Sequence, residues 1–268
     1  MLLVASACAV AVIPARAERP VDLELVLAVD VSGSVDAGEA QLQREGYQRA
    51  LRSPEIVDAI KSGMLGRIAV SYVEWAGHGH YKVVVDWQVV SDQESANAFV
   101  AKLAAAPFES AHRTSISGAI DLSVRHFEKN KFQGTRRIVD ISGDGANNYG
   151  RLVNVARDAA VAKGVIINGL PILTDPSRQV IPTIQDLDLF YRDCVIGGAG
   201  AFYVVANGFE DFARAVRKKL ILEIAGRPNG HAALWDTARL WRVADRAGPP
   251  CNIGEWRWLG IIQGGTRE

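Results

Sequence analysis

Five apolar residues in a row, Leu25-Val26-Leu27-Ala28-Val29, lead directly into Asp30-Val31-Ser32-Gly33-Ser34. A run of this length and apolar continuity is the pattern of a strand buried on both faces, which requires helices above and below a parallel sheet. The polar residues that follow therefore emerge at a strand's carboxyl end, where open parallel sheets keep their ligand sites. One carboxylate and two hydroxyls, with Gly33 letting the backbone turn, can converge on a small hard cation that prefers oxygen. Neither sulfur nor imidazole belongs to the set, which disfavours zinc. The same residue types also build any capped strand-to-helix turn, so the pentapeptide by itself leaves both readings open.

The rest of the chain repeats the pattern. Strand-like runs recur at Leu23 to Val29, Arg67 to Trp75, Lys82 to Val90, Arg137 to Ile141, Val165 to Leu173 and Ala201 to Val205. Helical patterns lie at Ala37 to Leu51, Glu94 to Ala105, Ser115 to Lys129, Leu152 to Lys163 and Phe209 to Ile224, the last ended by Gly226 and Pro228. Strands separated by helices predict a doubly wound, Rossmann-like α/β domain with a mainly parallel six-stranded sheet covered on both sides. Gly77-His78-Gly79-His80 joins two strands as a hairpin, so one edge strand is expected to be antiparallel. Glu74, in an otherwise apolar strand, reads as a solvated edge position. Thr174 to Gly200 reads as a loop with a short helix near Asp186 to Asp193.

Residues 1–17 are apolar and small before Ala15-Arg16-Ala17, the form of a secretory signal peptide cleaved near Ala17, although no basic residue follows Met1. The expected organisation is thus a signal peptide over 1–17, one domain over 21–225 and a tail over 226–268, with a periplasmic or secreted location. The apolar stretch is too short for a membrane anchor, so no integral membrane segment is expected in the mature chain. The whole sequence has 30 Lys and Arg against 30 Asp and Glu, and its longest basic run is Arg217-Lys218-Lys219, read as closing a helix; nucleic acid is not an expected partner. Cys194 and Cys251 remain after processing and could form one disulfide in an exported chain, or stay separate thiols. The tail holds four of the six tryptophans, with a short amphipathic helix expected around Leu234, Ala238 and Trp241 and the aromatics expected to pack back on the domain.

Two further oxygen clusters fall where a doubly wound sheet would bring them beside Asp30. Thr114 stands in His112-Arg113-Thr114-Ser115-Ile116-Ser117-Gly118 ahead of a helix, where a threonine can equally be an N-cap. Asp144 follows a strand in Ser142-Gly143-Asp144-Gly145-Ala146-Asn147-Asn148, which can equally be a plain turn. Together the three clusters resemble the von Willebrand factor type A superfamily, whose metal-ion-dependent adhesion site joins a D-x-S-x-S run, a distant Thr and a later Asp. Tyr72-Val73-Glu74-Trp75, the Ser142 to Asn148 run and Tyr191-Arg192-Asp193-Cys194 are similar to a bacterial exported branch of unknown function. The resemblance implies hydroxyl ligands from Ser32, Ser34 and Thr114 to magnesium or manganese, with Asp30 and Asp144 acting mostly through water. One departure is Ser142-Gly143-Asp144-Gly145, a residue longer between hydroxyl and carboxylate than the usual Ser-Asp-Gly.

Neutral hydroxyls only partly offset a divalent charge, so the open coordination position would attract a carboxylate of a partner protein, making metal and partner binding linked. The implied function is non-enzymatic, cation-dependent protein binding. The rival is a haloacid-dehalogenase-like phosphatase with Asp30 as nucleophile, suggested by Gly143-Asp144-Gly145-Ala146-Asn147-Asn148. Such enzymes need a second Asp two residues on, where this chain has Ser32, and Asn148 replaces their final Asp.

Overall fold

Every residue of the strand that ends at Asp30 is buried, and that strand forms the middle of the sheet. The structure, a computed structural model, describes residues 19–77, 79–174, 184–225 and 246–264. Its strands are β1 (Arg19–Val21), β2 (Leu23–Asp30), β3 (Ile68–Trp75), β4 (Tyr81–Val90), β5 (Phe132–Gly134), β6 (Arg137–Gly143) and β7 (Val165–Pro171). Its helices are α1 (Ala37–Leu51), α2 (Pro54–Lys61), α3 (Gln93–Ala105), α4 (Ile116–Phe127), α5 (Val153–Val161), α6 (Leu187–Phe190), which runs on as a π turn over Tyr191–Val195, α7 (Phe212–Ala225) and α8 (Ile253–Gly264). The expected signal peptide and the expected helix around Leu234 to Trp241 lie outside the described residues.

The main sheet has the order β4-β3-β2-β6-β7. All pairings are parallel except β3 with β4, the expected hairpin. Side chains of β2 alternate between two cores, as the two-residue period of a strand requires. Leu23, Leu25, Leu27 and Val29 meet α1, α2, α3 and α7 on one face, while Val26 and Ala28 meet α4, α5 and the α6 turn on the other. Each such aliphatic side chain contributes roughly 1.5–3 kcal/mol by leaving water.

The sequence expected six strands, and the sixth is not a regular one. Ala201 to Val205 does follow β7, with Val204 donating to the Gly169 carbonyl at 3.0 Å and Gly169 to the Phe202 carbonyl at 3.0 Å. The Phe202 amide, however, is taken by the Asn168 side chain at 3.1 Å. Gly197 meanwhile pairs with Ile167 on the same edge, so two short segments share what one strand would have occupied. A two-stranded accessory ladder, β1 with β5, was not expected and neither was α2, whose Ser53-Pro54 start and buried Ile56, Val57 and Ile60 mark it clearly once packed. The free edge is β4, where the ladder to β3 is irregular around Tyr72 and the Trp87 amide is taken by the Asp86 side chain at 2.8 Å.

Two buried ionic sites differ from expectation. Glu74 is buried rather than solvated: Arg44 of α1 binds it through Nε at 2.7 Å and Nη2 at 3.0 Å. The same guanidinium also donates to the carbonyls of Ala106 and Pro107. Lys219 is not an exposed cation at a helix end but sits inside α7, fully buried, with Nζ 2.5 Å from both Asp140 of β6 and Glu223. Removing one partner from such a group leaves uncompensated charge in the core. Lys219→Met should therefore lower unfolding free energy by about 3–5 kcal/mol in urea denaturation; a loss below about 1 kcal/mol would show that the cluster is not electrostatically closed.

Candidate metal centre

The carboxyl ends of β2 and β6 lie side by side, Val29 opposite Ser142, so the next residues of each strand meet. Gly143 is where they approach closest: a Cβ there would lie 2.8 Å from Asp30 Oδ2 and 3.0 Å from the Tyr191 hydroxyl. Only glycine leaves that space for the Asp30 carboxylate. The additional residue between Ser142 and Asp144 is absorbed because β6 continues through Gly143, which pairs with Pro171 of β7. Ser142 turns to the other side, within 3.5 Å of the Tyr47 hydroxyl.

The loop after Asp30 folds back on its own carboxylate. The Ser32 amide donates to Asp30 Oδ1 at 2.7 Å, and the turn closes with Val35 N donating to the Ser32 carbonyl at 2.9 Å. Gly33 makes this turn without left-handed backbone; the expected glycine requirement lies at Gly143 instead. α1 then begins immediately under a capping box, with Asp36 accepting from Glu39 N at 2.8 Å and Glu39 accepting from Asp36 N at 3.0 Å, a device that contributes about 1 kcal/mol. Ser32 Oγ and Ser34 Oγ are 3.1 Å apart, and Ser34 Oγ donates to Asp144 Oδ1 at 2.7 Å.

Thr114 reaches the same place from a third loop. Ala111 N donates to the Val31 carbonyl at 3.2 Å, laying this loop along the one that carries Ser32. A Cβ on Gly145 would lie 3.8 Å from Thr114 Oγ1, so the hydroxyl faces the loop after Asp144. The cap of α4 is Ser115, whose Oγ accepts from Gly118 N at 3.2 Å; Thr114 is not used as a helix cap. All five predicted residues, Asp30, Ser32, Ser34, Thr114 and Asp144, thus converge on one end of the sheet.

Sequence reasoning had quoted Asn147 and Asn148 without giving them a task. Asn148 holds Thr114 at both ends of its backbone, accepting from its amide through Oδ1 at 2.9 Å and donating to its carbonyl at 2.9 Å. Asn147 Oδ1 accepts from Ser117 N at 2.9 Å. Their signal is a pair of asparagines directly after a turn-rich strand end.

Asp30 Oδ2 and Asp144 Oδ2 are buried without any hydrogen-bond partner, and both residues are fully buried. Burial pushes the Asp30 carboxyl well above its usual range, and the neighbouring Asp144 pushes it further. Burial likewise raises Asp144 to about 6, opposed by the Ser34 hydroxyl and reinforced by Glu39. Two like charges out of water with an orphaned oxygen each constitute an acceptor set without a donor. Three hydroxyls around them complete an all-oxygen donor set that fits a hard divalent cation. Among the described residues no cluster of three His, Cys, Asp or Glu offers a softer alternative.

Comparison with known proteins agrees with this architecture. Residues 20–228 match the family described as "Protein of unknown function (DUF1194)". The chain belongs to that family. No curated protein matches the sequence. Among solved structures, proximal thread matrix protein 1 from the mussel byssus superposes with a TM-score of 0.54 at 13% identity over 77% of this chain and 47% of its own. The same byssus protein was solved "with zinc occupied MIDAS motif", at a TM-score of 0.54 and 12% identity over 76% of this chain and 46% of its own. The von Willebrand factor type A protein from Catenulispora acidiphila gives 0.50 at 12% identity over 76% of this chain and 43% of its own. This DUF1194 chain therefore has the von Willebrand type A fold, and spans about half the length of those structures.

The raised carboxyls define a pH dependence. A carboxyl whose folded pKa exceeds its unfolded value contributes stability below the unfolded pKa and loses it as pH rises through the folded one. For Asp144 that window runs from the ordinary 3.8 up to about 6. Metal-free protein should accordingly lose melting temperature between roughly pH 4 and pH 6, and Asp144→Asn should flatten that fall. Thermal melts in chelator across this range check it; an unchanged slope in the variant would refute the assignment.

Proposed function

We propose that this chain is an exported, non-enzymatic protein-binding domain that works through a divalent cation. Magnesium or manganese is held by Asp30, Ser32, Ser34, Thr114 and Asp144, and an Asp or Glu of a protein partner completes its coordination. The observation that carries this reading is the pair of orphaned carboxylate oxygens, Asp30 Oδ2 and Asp144 Oδ2, buried where three loops meet, two of them bearing the hydroxyls of Ser32, Ser34 and Thr114. A cation offsets both charges, while the hydroxyls, being neutral, leave it electrophilic toward a further anionic oxygen. The zinc-occupied MIDAS motif of the byssus protein supports a metal at this end of the fold. The all-oxygen donor set here favours a harder ion.

The proposed organisation is a cleaved signal peptide over residues 1–17, a domain over 21–225 and a tail beyond it. Export is supported by the Cys194–Cys251 disulfide, a bond that persists in oxidising compartments. Among the described residues no helix is long and apolar enough to cross a membrane. A phosphatase reading lacks its general acid, because Ser32 stands where a second carboxylate is needed, and the Ser32 amide occupies Asp30 Oδ1.

Metal and partner should bind cooperatively, since each supplies what the other's site lacks. Saturation with magnesium at about 100 times its Kd should stabilise the fold by about 2.7 kcal/mol. Calorimetric titration with manganese should show affinity falling at least ~10–100-fold in Ser32→Ala and further in Asp30→Ala. Partners captured from periplasmic extract in magnesium should elute with EDTA. Capture indifferent to chelation and to Asp30→Ala would sink the proposal, and Asp30-dependent hydrolysis of a generic phosphomonoester would replace it with the enzyme.

A further inference from the structure

Residues 246–264 lie beyond the 20–228 that match the family, yet α8 touches two of the three loops of the site. Glu255 Oε1 accepts from Asn147 Nδ2 at 2.7 Å, and Glu255 Oε2 is buried without a partner. Gly254 sits so close to the Asn147 backbone that a Cβ would lie 2.0 Å from its carbonyl oxygen. Three residues after Glu255, Trp258 stacks under the Arg113 guanidinium, 3.8 Å from the ring centroid. Arg113 directly precedes Thr114 and is one of two non-glycine residues with positive φ among the described residues, at 73°. A left-handed arginine persists only where its surroundings over-determine it. Here the Trp258 and Tyr149 rings flank its guanidinium.

The segment is fastened upstream as well. Cys251 is bonded to Cys194 in the π turn, Gly248 N donates to Asp193 Oδ2 at 2.9 Å, Arg246 pairs with Asp186 at 2.8 Å, and Arg192 Nη2 donates to the Arg246 carbonyl at 2.7 Å. That turn also carries Tyr191, whose hydroxyl abuts Gly143 between the two site carboxylates. Apolar packing at this end is limited to Cys251 and Ile253 against the core, for Trp256 and Leu259 remain 57% and 54% exposed. The side-chain contacts that α8 makes to the site loops through Glu255 and Trp258 are polar or cation–π, and they fall on the residues that brace Thr114 and follow Asp144.

We propose that residues 246–264 are a strap built into the metal centre, in which Glu255 and Trp258 are positioning residues that hold the Asp144 and Thr114 loops through Asn147 and Arg113, anchored covalently at Cys194. Its bearing on metal affinity rests on the reading above, while its bearing on loop order does not. Release of the strap should free Asn147 and Arg113 together, loosening the hydrogen bond from Ser117 N to Asn147 and, next to Arg113, the one from Thr114 N to Asn148.

The test uses the full oxidised chain as wild type, Cys251→Ser, Trp258→Ala, Glu255→Leu and Glu255→Gln. Metal-free amide exchange should accelerate at least ~10-fold at Thr114 and Ser117 in the first three variants and stay unchanged at Leu27 and Val139. Manganese affinity should fall ~10-fold in the same three. Glu255→Gln keeps an acceptor for Asn147 and should remain within about 2-fold of wild type on both measures. Unaltered exchange at Thr114 and Ser117 in all three, with α8 detached by the criterion of trypsin cleavage within 246–264, would overturn the strap. Faster exchange with unaltered manganese affinity would overturn its part in the centre. A wild type that binds no manganese defeats the metal reading alone, and the exchange rates still decide whether the strap orders the loops.

Discussion

Two carboxylates, Asp30 and Asp144, are held side by side out of water, each with one oxygen unmatched. Nothing in a folded chain favours this arrangement by itself, because burial and mutual repulsion both oppose ionisation. It exists because parallel pairing of β2 with β6 fixes the two strand ends in register and Gly143 removes the side chain that would have separated them. The two cores that clamp β2 from either face supply the apolar burial against which this local cost is set. The contrast with Lys219 is instructive: there two buried carboxylates have a cation from the chain itself. At the strand ends the chain provides hydroxyls instead, and in the function proposed above the cation comes from outside.

Around this pair the loops are tied to one another as well as to the body of the domain, where Val31 N donates to the Trp75 carbonyl and Ser115 N to the Ala76 carbonyl. Ala111 bonds Val31, Asn148 grips Thr114, and Ser34 bonds Asp144, so the three loops form one hydrogen-bonded unit. Arg44 performs a comparable service beside them at the same end of the sheet, joining Glu74 of β3 to the carbonyls after α3.

Much of this was legible in the residues. The continuous apolar run before Asp30 announced a doubly covered strand, and the hairpin at Gly77 announced the antiparallel edge, because both are local patterns. The five site residues were legible as a set through their resemblance to a known superfamily, though not through any one cluster. What escaped was whatever depended on packing. Glu74 reads as a solvated edge position and Lys219 as part of a basic run closing a helix, since sequence carries no sign of the Arg44, Asp140 and Glu223 side chains that meet them. The sixth strand failed for the same reason: its composition is strand-like, but Asn168 and Gly197 compete for the same edge of β7. The odd spacing before Asp144 could be judged only when β6 was seen to continue through Gly143.

The treatment of the two sheet edges bears on how this chain coexists with others of its kind. One edge, β7, is roofed by Gly197 and the segment around Val204. The other, β4, faces outward with an irregular ladder behind it, Lys82 and Asp86 along it, and the Trp87 amide already bonded to the adjacent side chain. A second chain seeking to extend the sheet would find one border closed and the other broken and charged. Growth by strand addition is thus discouraged on both sides.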